Sequence, residues 1–184
     1  MVYYLCNMGR DSVSNGSVLM LTAEYNSPLG PITIACSGDK LVGLWFMGQR
    51  HYGSTLAATF ENAEQGDVSV ENRVLEDTRR WLDIYFAGHN PDFLPKYEMI
   101  GSGFQIKVWS ELTNIPYGTT TTYKAIADKL NTAPRAIGAA VGRNPLTIMI
   151  PCHRVISTSG SLTGYAGGLE RKAYLLNIEK IGMK

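Results

Sequence analysis

Apolar residues over positions 18–47 come in short runs, broken by Asn26-Ser27-Pro28-Leu29-Gly30-Pro31 and by Ser37-Gly38-Asp39-Lys40. Runs of that length between turn formers predict a three-stranded antiparallel meander. A polar stretch at 49–66 follows. Val70, Val74, Leu75, Trp81, Leu82, Tyr85 and Phe86 then recur at helical spacing, with Gly88 placed to cap the C-terminus. One amphipathic helix of this kind covers one face of a small sheet. Residues 88–103, with Pro91, Pro95, Gly101 and Gly103, read as a connection between two units.

Beyond it the pattern is one of short helices. Phe104, Val108, Trp109 and Leu112 make an apolar stripe that ends at Pro116-Tyr117-Gly118, and Thr122 is placed to cap a second helix carrying Ala125, Ile126 and Leu130. Asn131-Thr132-Ala133 is a turn, Pro134 suits the first position of a third helix, and Ile137 and Val141 form its core pair before Asn144-Pro145 stops it. Helix, short turn, helix is the helix-turn-helix arrangement. Ala136, Gly138, Ala139, Ala140 and Gly142 leave this third helix nearly bare, which suits tight internal packing or close approach to DNA phosphates, with Arg135 and Arg143 at its ends.

A chain of 184 residues has room for one ordinary domain or two small ones, and no run approaches the length of a membrane span. The polar run at 7–17 is unlike a secretory signal. Cys6, Cys36 and Cys152 are odd in number and far apart, which argues against a disulfide framework and for a reducing, cytoplasmic setting. The net charge of +1 conceals an asymmetry: residues 1–100 hold 7 Lys and Arg against 12 Asp and Glu, and residues 101–184 hold 10 against 4. A basic C-terminal half suits a polyanion.

Cysteine reacts as the thiolate, and a free thiol with a pKa of about 8.5 needs something to take its proton. His153 adjoins Cys152, but neighbouring side chains in an extended segment point to opposite faces, so adjacency alone does not make them a pair. The wider string is more specific. Arg135-Ala136-Ile137-Gly138, Asn144-Pro145, Ile150-Pro151-Cys152-His153-Arg154-Val155-Ile156 and Gly164-Tyr165-Ala166-Gly167-Gly168 together closely resemble the O6-alkylguanine-DNA alkyltransferases. Phe104, Val108-Trp109, Leu112, Ile115-Pro116, Gly118, Thr120 and Tyr123 extend the likeness upstream, and Ser27-Pro28-Leu29-Gly30 with Leu41-Val42-Gly43-Leu44 match more loosely. The resemblance covers about residues 21–179.

It implies an α/β (α+β) chain of two domains: residues 1–95 as a ribonuclease-H-like sheet with a helix, and residues 96–184 as a mostly helical DNA-binding and alkyl-acceptor domain. It implies that a damaged nucleotide of double-stranded DNA, approached from the minor groove, is flipped out and its O6-alkyl group moved onto Cys152, without a cofactor, by a monomer consumed in the act. In that family His153 is the base, acting through a water, and Glu179 is its partner. Tyr123 donates to a guanine ring nitrogen, Asn144 is a hinge, and Arg135 fills the space of the extruded nucleotide. Ala136, Gly138, Ala139 and Arg143 belong to the DNA-facing surface. The carbonyls of Cys152 and Val155, directed by Pro151, read the guanine amine; Tyr165 is a pocket wall, and only the Ala166 amide remains where some members carry serine. Taken singly, Tyr123 and Asn144 also fit cap or core positions, and Glu179 fits an ordinary helical carboxylate. Cys6, Cys36, His51 and His89 contain no close ligand pair, so no metal is expected.

Three other readings compete: a non-enzymatic protein that binds alkylated DNA, a sequence-specific transcription regulator, and a thiol hydrolase. Cys152 separates the first from a transferase. The second needs base-reading side chains, which the third helix lacks.

Overall fold

The computed structural model describes residues 20–56 and 73–181. Cys6, Val18, Val70 and the polar stretch beyond residue 56 lie outside them. Strands β1 (Met20–Ser27), β2 (Gly30–Ser37) and β3 (Lys40–Phe46) form an antiparallel sheet in the order β1-β2-β3, as the turn residues predict. Ser27 pairs with Gly30 and Ser37 with Lys40, leaving two residues in each turn. The Ser27 hydroxyl closes the first by accepting from the Leu29 amide at 3.1 Å. Ile32, Ile34, Leu44 and Phe46 enter the main core, while Ala35, Val42 and Trp45 form a small second cluster, so β3 is buried on both sides.

Helix α1 (Arg73–Phe86) buries Val74, Thr78, Trp81, Leu82 and Tyr85, one stripe at helical spacing. Full burial of an apolar side chain contributes about 1.5–3 kcal/mol, so this stripe is what fastens the helix. Gly88, at φ +85°, ends it. Its amide donates to the Tyr85 carbonyl at 3.0 Å, and the His89 amide reaches the Ile84 carbonyl at 3.2 Å, a Schellman closure.

The free edge of β3 is covered. The Leu41 amide donates to the Lys96 carbonyl and the Leu44 amide to the Pro145 carbonyl, each at 2.8 Å, and the Thr147 amide returns to the Leu44 carbonyl at 2.9 Å. Covering an edge removes a row of unpaired backbone groups. Here the covering segment also leads into Cys152, so the sheet fixes where the cysteine stands.

Helix α2 (Gly103–Thr113) starts at a capping box between Ser102 and Gln105. Val108, Trp109 and Leu112 are buried as expected, but Phe104 is 40% exposed. It stands in the first turn, and a helical side chain leans towards the N-terminus, so it overhangs the core. Strand β4 (Thr121–Thr122) leads into α3 (Tyr123–Lys129), whose N-cap Thr122 accepts from the Ala125 amide at 3.1 Å. The buried face of α3 is Ile126 and Ala127, with Ala125 exposed, contrary to the predicted stripe. Helix α4 (Pro134–Val141) begins with proline at its first turn and buries Ile137, Ala140 and Val141. Trp109 Nε1 donates to the Ala140 carbonyl at 2.9 Å, so that part of the small-residue surface packs inward.

A 3-10 turn (Cys152–Arg154) runs into β5 (Val155–Ile156), which pairs in parallel with β4. The hydrophobic pattern does not predict this pair, because two-residue strands carry no alternation. Helix α5 (Leu169–Ile181) closes the described chain. No helix among the described residues is long and apolar enough to cross a membrane.

Candidate active site

Cys152 begins the 3-10 turn and is 3% exposed. Asn144, just past α4, holds it from the side: Nδ2 donates to the Cys152 sulfur at 3.1 Å and to the Ile150 carbonyl at 2.8 Å, while Oδ1 accepts from the Leu146 amide at 3.0 Å. One amide thus fixes both ends of the loop and aims an N–H at the sulfur. Inside that loop Ile148 takes φ +73°. A β-branched residue there costs of order 1–3 kcal/mol and persists only where the surroundings enforce it; Ile148 is fully enclosed, and the Ile150 amide closes the turn on the Leu146 carbonyl at 2.9 Å.

His153, Arg154 and Glu179 are buried together. Glu179 Oε1 lies 2.7 Å from His153 Nε2 and accepts from the Tyr85 hydroxyl at 2.8 Å and from Arg154 Nη2 at 3.0 Å. Its Oε2 accepts from Arg154 Nε at 2.9 Å and the Gly118 amide at 3.1 Å. Burial opposes ionisation of Glu179, but His153 and Arg154 outweigh it and hold the carboxyl at about 2. An ionised Glu179 accepts the proton on His153 Nε2, which leaves the lone pair on Nδ1. Nδ1 is buried and has no hydrogen-bond partner among the described residues. Burial lowers the proton affinity of His153 while Glu179 raises it, and the net direction is down, so the ring is neutral at pH 7 and its free nitrogen is a base.

Burial also pushes the Cys152 thiol up; the Asn144 amide, the Lys172 charge and two backbone amides pull the other way. Lys172 is buried on α5, two turns before Glu179. Its Nζ donates to the Val155 carbonyl at 2.5 Å and the Thr163 carbonyl at 2.7 Å, and burial brings it down to about 8. Seven helical residues span about 10 Å, so one helix face supplies a cation to one end of the site and a carboxylate to the other.

Two tyrosines flank the sulfur. Tyr123 donates to the Thr163 and Gly164 carbonyls at 3.1 and 3.2 Å; burial and the nearby Cys152 charge push its phenol up to about 12, so it stays a donor. Tyr165 is likewise held protonated, by burial and then by Cys152, and its buried hydroxyl has no partner among the described residues. Gly167 is the reason Tyr165 fits: a Cβ there would stand 2.7 Å from the Tyr165 ring and 3.3 Å from Phe46. Gly164, at φ +59°, faces the Tyr123 hydroxyl, 3.1 Å from where a Cβ would lie.

The sequence-predicted residues therefore separate into two groups. Cys152, His153, Glu179, Asn144, Tyr123, Pro151, Val155 and Tyr165 lie on the 3-10 turn, β5, the loops and the helix ends that meet at the cysteine and its histidine, and Ala166 follows Tyr165 in the chain. Arg135, Ala136, Gly138, Ala139 and Arg143 lie along and just beyond α4, with both arginines and Ala139 exposed. The carbonyls expected to read a base are already engaged once: Cys152 accepts from the Val155 amide, and Val155 from Lys172. Each keeps a second lone pair. The Ala166 carbonyl accepts from the Arg50 amide at 3.1 Å. Sequence reasoning missed Tyr85, Gly118, Arg154 and Lys172 as supporting groups. Arg154 sits inside the quoted motif, and Tyr85 shows one signal, a phenol in a core stripe that must find a polar partner. Among the described residues no group of three or more His, Cys, Asp and Glu is placed to hold a metal.

Two family models match: "6-O-methylguanine DNA methyltransferase, ribonuclease-like domain" over residues 20–94, and "6-O-methylguanine DNA methyltransferase, DNA binding domain" over residues 103–181. The chain is 41% identical over 159 residues to the methylated-DNA--protein-cysteine methyltransferase of Mycobacterium leprae, covering 85% of this chain and 90% of that one. It is 40% identical over 163 residues to the protein of that name from Methanosarcina acetivorans, covering 87% and 98%. The crystal structure of Mycobacterium tuberculosis OGT in complex with DNA is similar with a TM-score of 0.69 at 37% identity, covering 86% of this chain and 92% of that one.

Proposed function

The chain belongs to the 6-O-methylguanine DNA methyltransferase family, and from that premise we propose that Cys152 is the residue to which it transfers the alkyl group of a damaged guanine. The protein repairs DNA by alkyl transfer to a cysteine. The observation that carries the choice of residue is the Cys152 sulfur under the Asn144 amide, next in the chain to His153, whose Nε2 is anchored on Glu179.

In this reading the thiol proton leaves through a water to His153 Nδ1, and the imidazolium that forms is balanced by Glu179. The Cys152 sulfur then attacks the alkyl carbon. A carbon–sulfur bond forms as the bond from that carbon to guanine O6 breaks, and the electron pair departs with the base. Tyr123 offsets that charge by donating to a ring nitrogen, while Tyr165 and the Ala166 amide border the pocket. The Cys152 and Val155 carbonyls, held by Pro151, face the exocyclic amine. The product is a thioether, so each molecule acts once and needs no cofactor.

Helices α3 and α4 act as a helix-turn-helix laid in the minor groove. Ala136, Gly138 and Ala139 let the backbone of α4 approach phosphates, Arg143 adds a cation, and Arg135 occupies the stack vacated by the flipped nucleotide. Residues 1–95 and 96–184 are the two domains, a division supported by the two matched segments. The protein works as a cytoplasmic monomer.

The test is intact mass after incubation with a duplex carrying one O6-methylguanine. One added CH2 unit, mapped to the peptide containing Cys152 and absent in Cys152→Ala, is the expected result. An unchanged mass with the native protein overturns the proposal.

A further inference from the structure

Tyr85 belongs to α1, in the segment that matches the ribonuclease-like part, yet its hydroxyl ends in the proton-handling cluster of the other part. It donates to Glu179 Oε1 at 2.8 Å and stands 3.3 Å from His153 Nε2. Glu179 Oε1 is the same oxygen that holds the His153 ring. With Arg154 Nη2 at 3.0 Å, three donors thus crowd one oxygen. The phenol is not free to turn away: its ring is stacked on Trp81 at 5.4 Å and 7°, and is packed edge-on by Phe86, Tyr117 and His153. It has no exposed surface. Packing alone would be served by phenylalanine, and a buried hydroxyl is costly unless satisfied, so the oxygen calls for a separate explanation.

We propose that Tyr85 is a positioning residue for alkyl transfer: its hydroxyl, carried in by the N-terminal part, clamps Glu179 Oε1 and so limits how firmly His153 takes a proton. This rests on the reading of His153 as base. A hydrogen bond to a carboxylate oxygen withdraws part of its charge. With Tyr85 in place, less of that charge is available to stabilise imidazolium, and His153 remains neutral over a wider range of pH. The other charged and titratable groups facing the pair are Arg154 from the same turn, Lys172 from α5, Cys152, and Tyr117 and Tyr165 from the adjoining loops. Arg154 and Lys172 also disfavour imidazolium, so Tyr85 acts in the same direction as these cations without adding a charge.

The experiment is the single-turnover rate of methyl transfer from an O6-methylguanine duplex between pH 5 and 9, with the native protein and Tyr85→Phe. If the native protein transfers nothing to Cys152, the underlying reading fails. If it transfers, the variant is expected to show its acidic limb moved up by roughly 0.5–1 unit, with the high-pH plateau kept within a few-fold and affinity for undamaged duplex unchanged. A limb that stays put, whether or not the rate falls at every pH, overturns the inference. Replacing Tyr85 with 3-fluorotyrosine keeps the ring and strengthens the donor. It moves the limb down if Tyr85 tunes His153, and leaves it in place if the hydroxyl only fills space.

Discussion

Glu179 is the most heavily coordinated side chain around the site, and the cost of removing its charge depends on what is left behind. In Glu179→Gln the Arg154 guanidinium stays buried and loses the carboxylate that takes two of its N–H groups. Breaking a buried pair from one side costs about 3–5 kcal/mol, so urea unfolding of this variant is expected to show a loss of that size. Acid should act on the same group. The Glu179 carboxyl titrates at about 2 when folded and near 4.5 in the unfolded chain. Between those values the unfolded chain binds the extra proton, so this stabilisation is full above 4.5 and is lost as pH falls towards 2. His153, depressed by burial from 6.5, works in the same sense at higher pH, because the unfolded chain protonates first. Thermal melts of the native protein should therefore fall in two stages below about pH 6.5, and Glu179→Gln should lack the lower one. Lys172 makes a different prediction. Lys172→Gln removes the nearby charge that favours the Cys152 thiolate and loosens two carbonyls, so the pH midpoint for Cys152 modification by iodoacetamide is expected to rise. Cys152 and His153 are legible in the chain because they stand in one contiguous motif. Lys172 is not, since it looks like any basic position on an amphipathic helix. Tyr85 sits in an apolar stripe, and its hydroxyl finds a partner 94 positions away, a pairing that no local pattern encodes.

Elements were readable where local chemistry alone decides them. The meander follows from its turns, α3 from its threonine cap, and α4 from Pro134 together with the Ile137 and Val141 pair. The β4–β5 pairing was not readable, because tertiary contact alone brings Thr121 to Val155. Exposure of Phe104 was missed for a related reason: periodicity gives the direction of a side chain but not how far the opposing surface extends. The small-residue pattern of α4 turned out to be mixed. Ala140 packs inward, whereas a Cβ on Gly138 would meet nothing within 4 Å. Glycine in a helix interior costs up to about 1 kcal/mol relative to alanine, so Gly138→Ala should raise the melting temperature, by roughly 2–4 °C for a chain of this size. If the bare surface exists for DNA phosphates, the same substitution should weaken binding to an undamaged duplex, measured by fluorescence anisotropy. Higher stability with unchanged affinity would assign the glycine no part in DNA approach.

At the scale of the molecule, the two matched segments are separate in sequence but continuous in space. The main core takes Ile32, Ile34, Leu44 and Phe46 from the sheet, Trp81, Leu82 and Tyr85 from α1, and Trp109, Leu112, Ile137, Ile150 and Leu175 from the C-terminal part as one cluster. Polar links cross the same boundary: Leu44 pairs with residues 145–147, Thr147 shares Gln49 Oε1 at 3.2 Å, and Arg171 donates to the Leu29 carbonyl at 3.1 Å while lying over the Phe46 ring. Domains joined only by a linker unfold separately, whereas halves that share a core lose their stability together. Denaturation by guanidinium is thus expected to give one transition, with coincident midpoints for the fluorescence of Trp45, on the sheet, and Trp109, in α2. Two resolved transitions would show that the shared apolar surface contributes little. The same reasoning predicts that residues 96–184 expressed alone do not reach the native state, even though they contain Cys152, His153, Asn144 and Glu179. Without the N-terminal half, Glu179 loses the Tyr85 hydroxyl, the loop leading to Cys152 loses its pairing with Leu44, and the core cluster that includes Trp109 and Leu112 loses the side chains of the sheet and α1. An exchange-broadened NMR spectrum is the expected result for that fragment, and sharp, dispersed amide signals would contradict it.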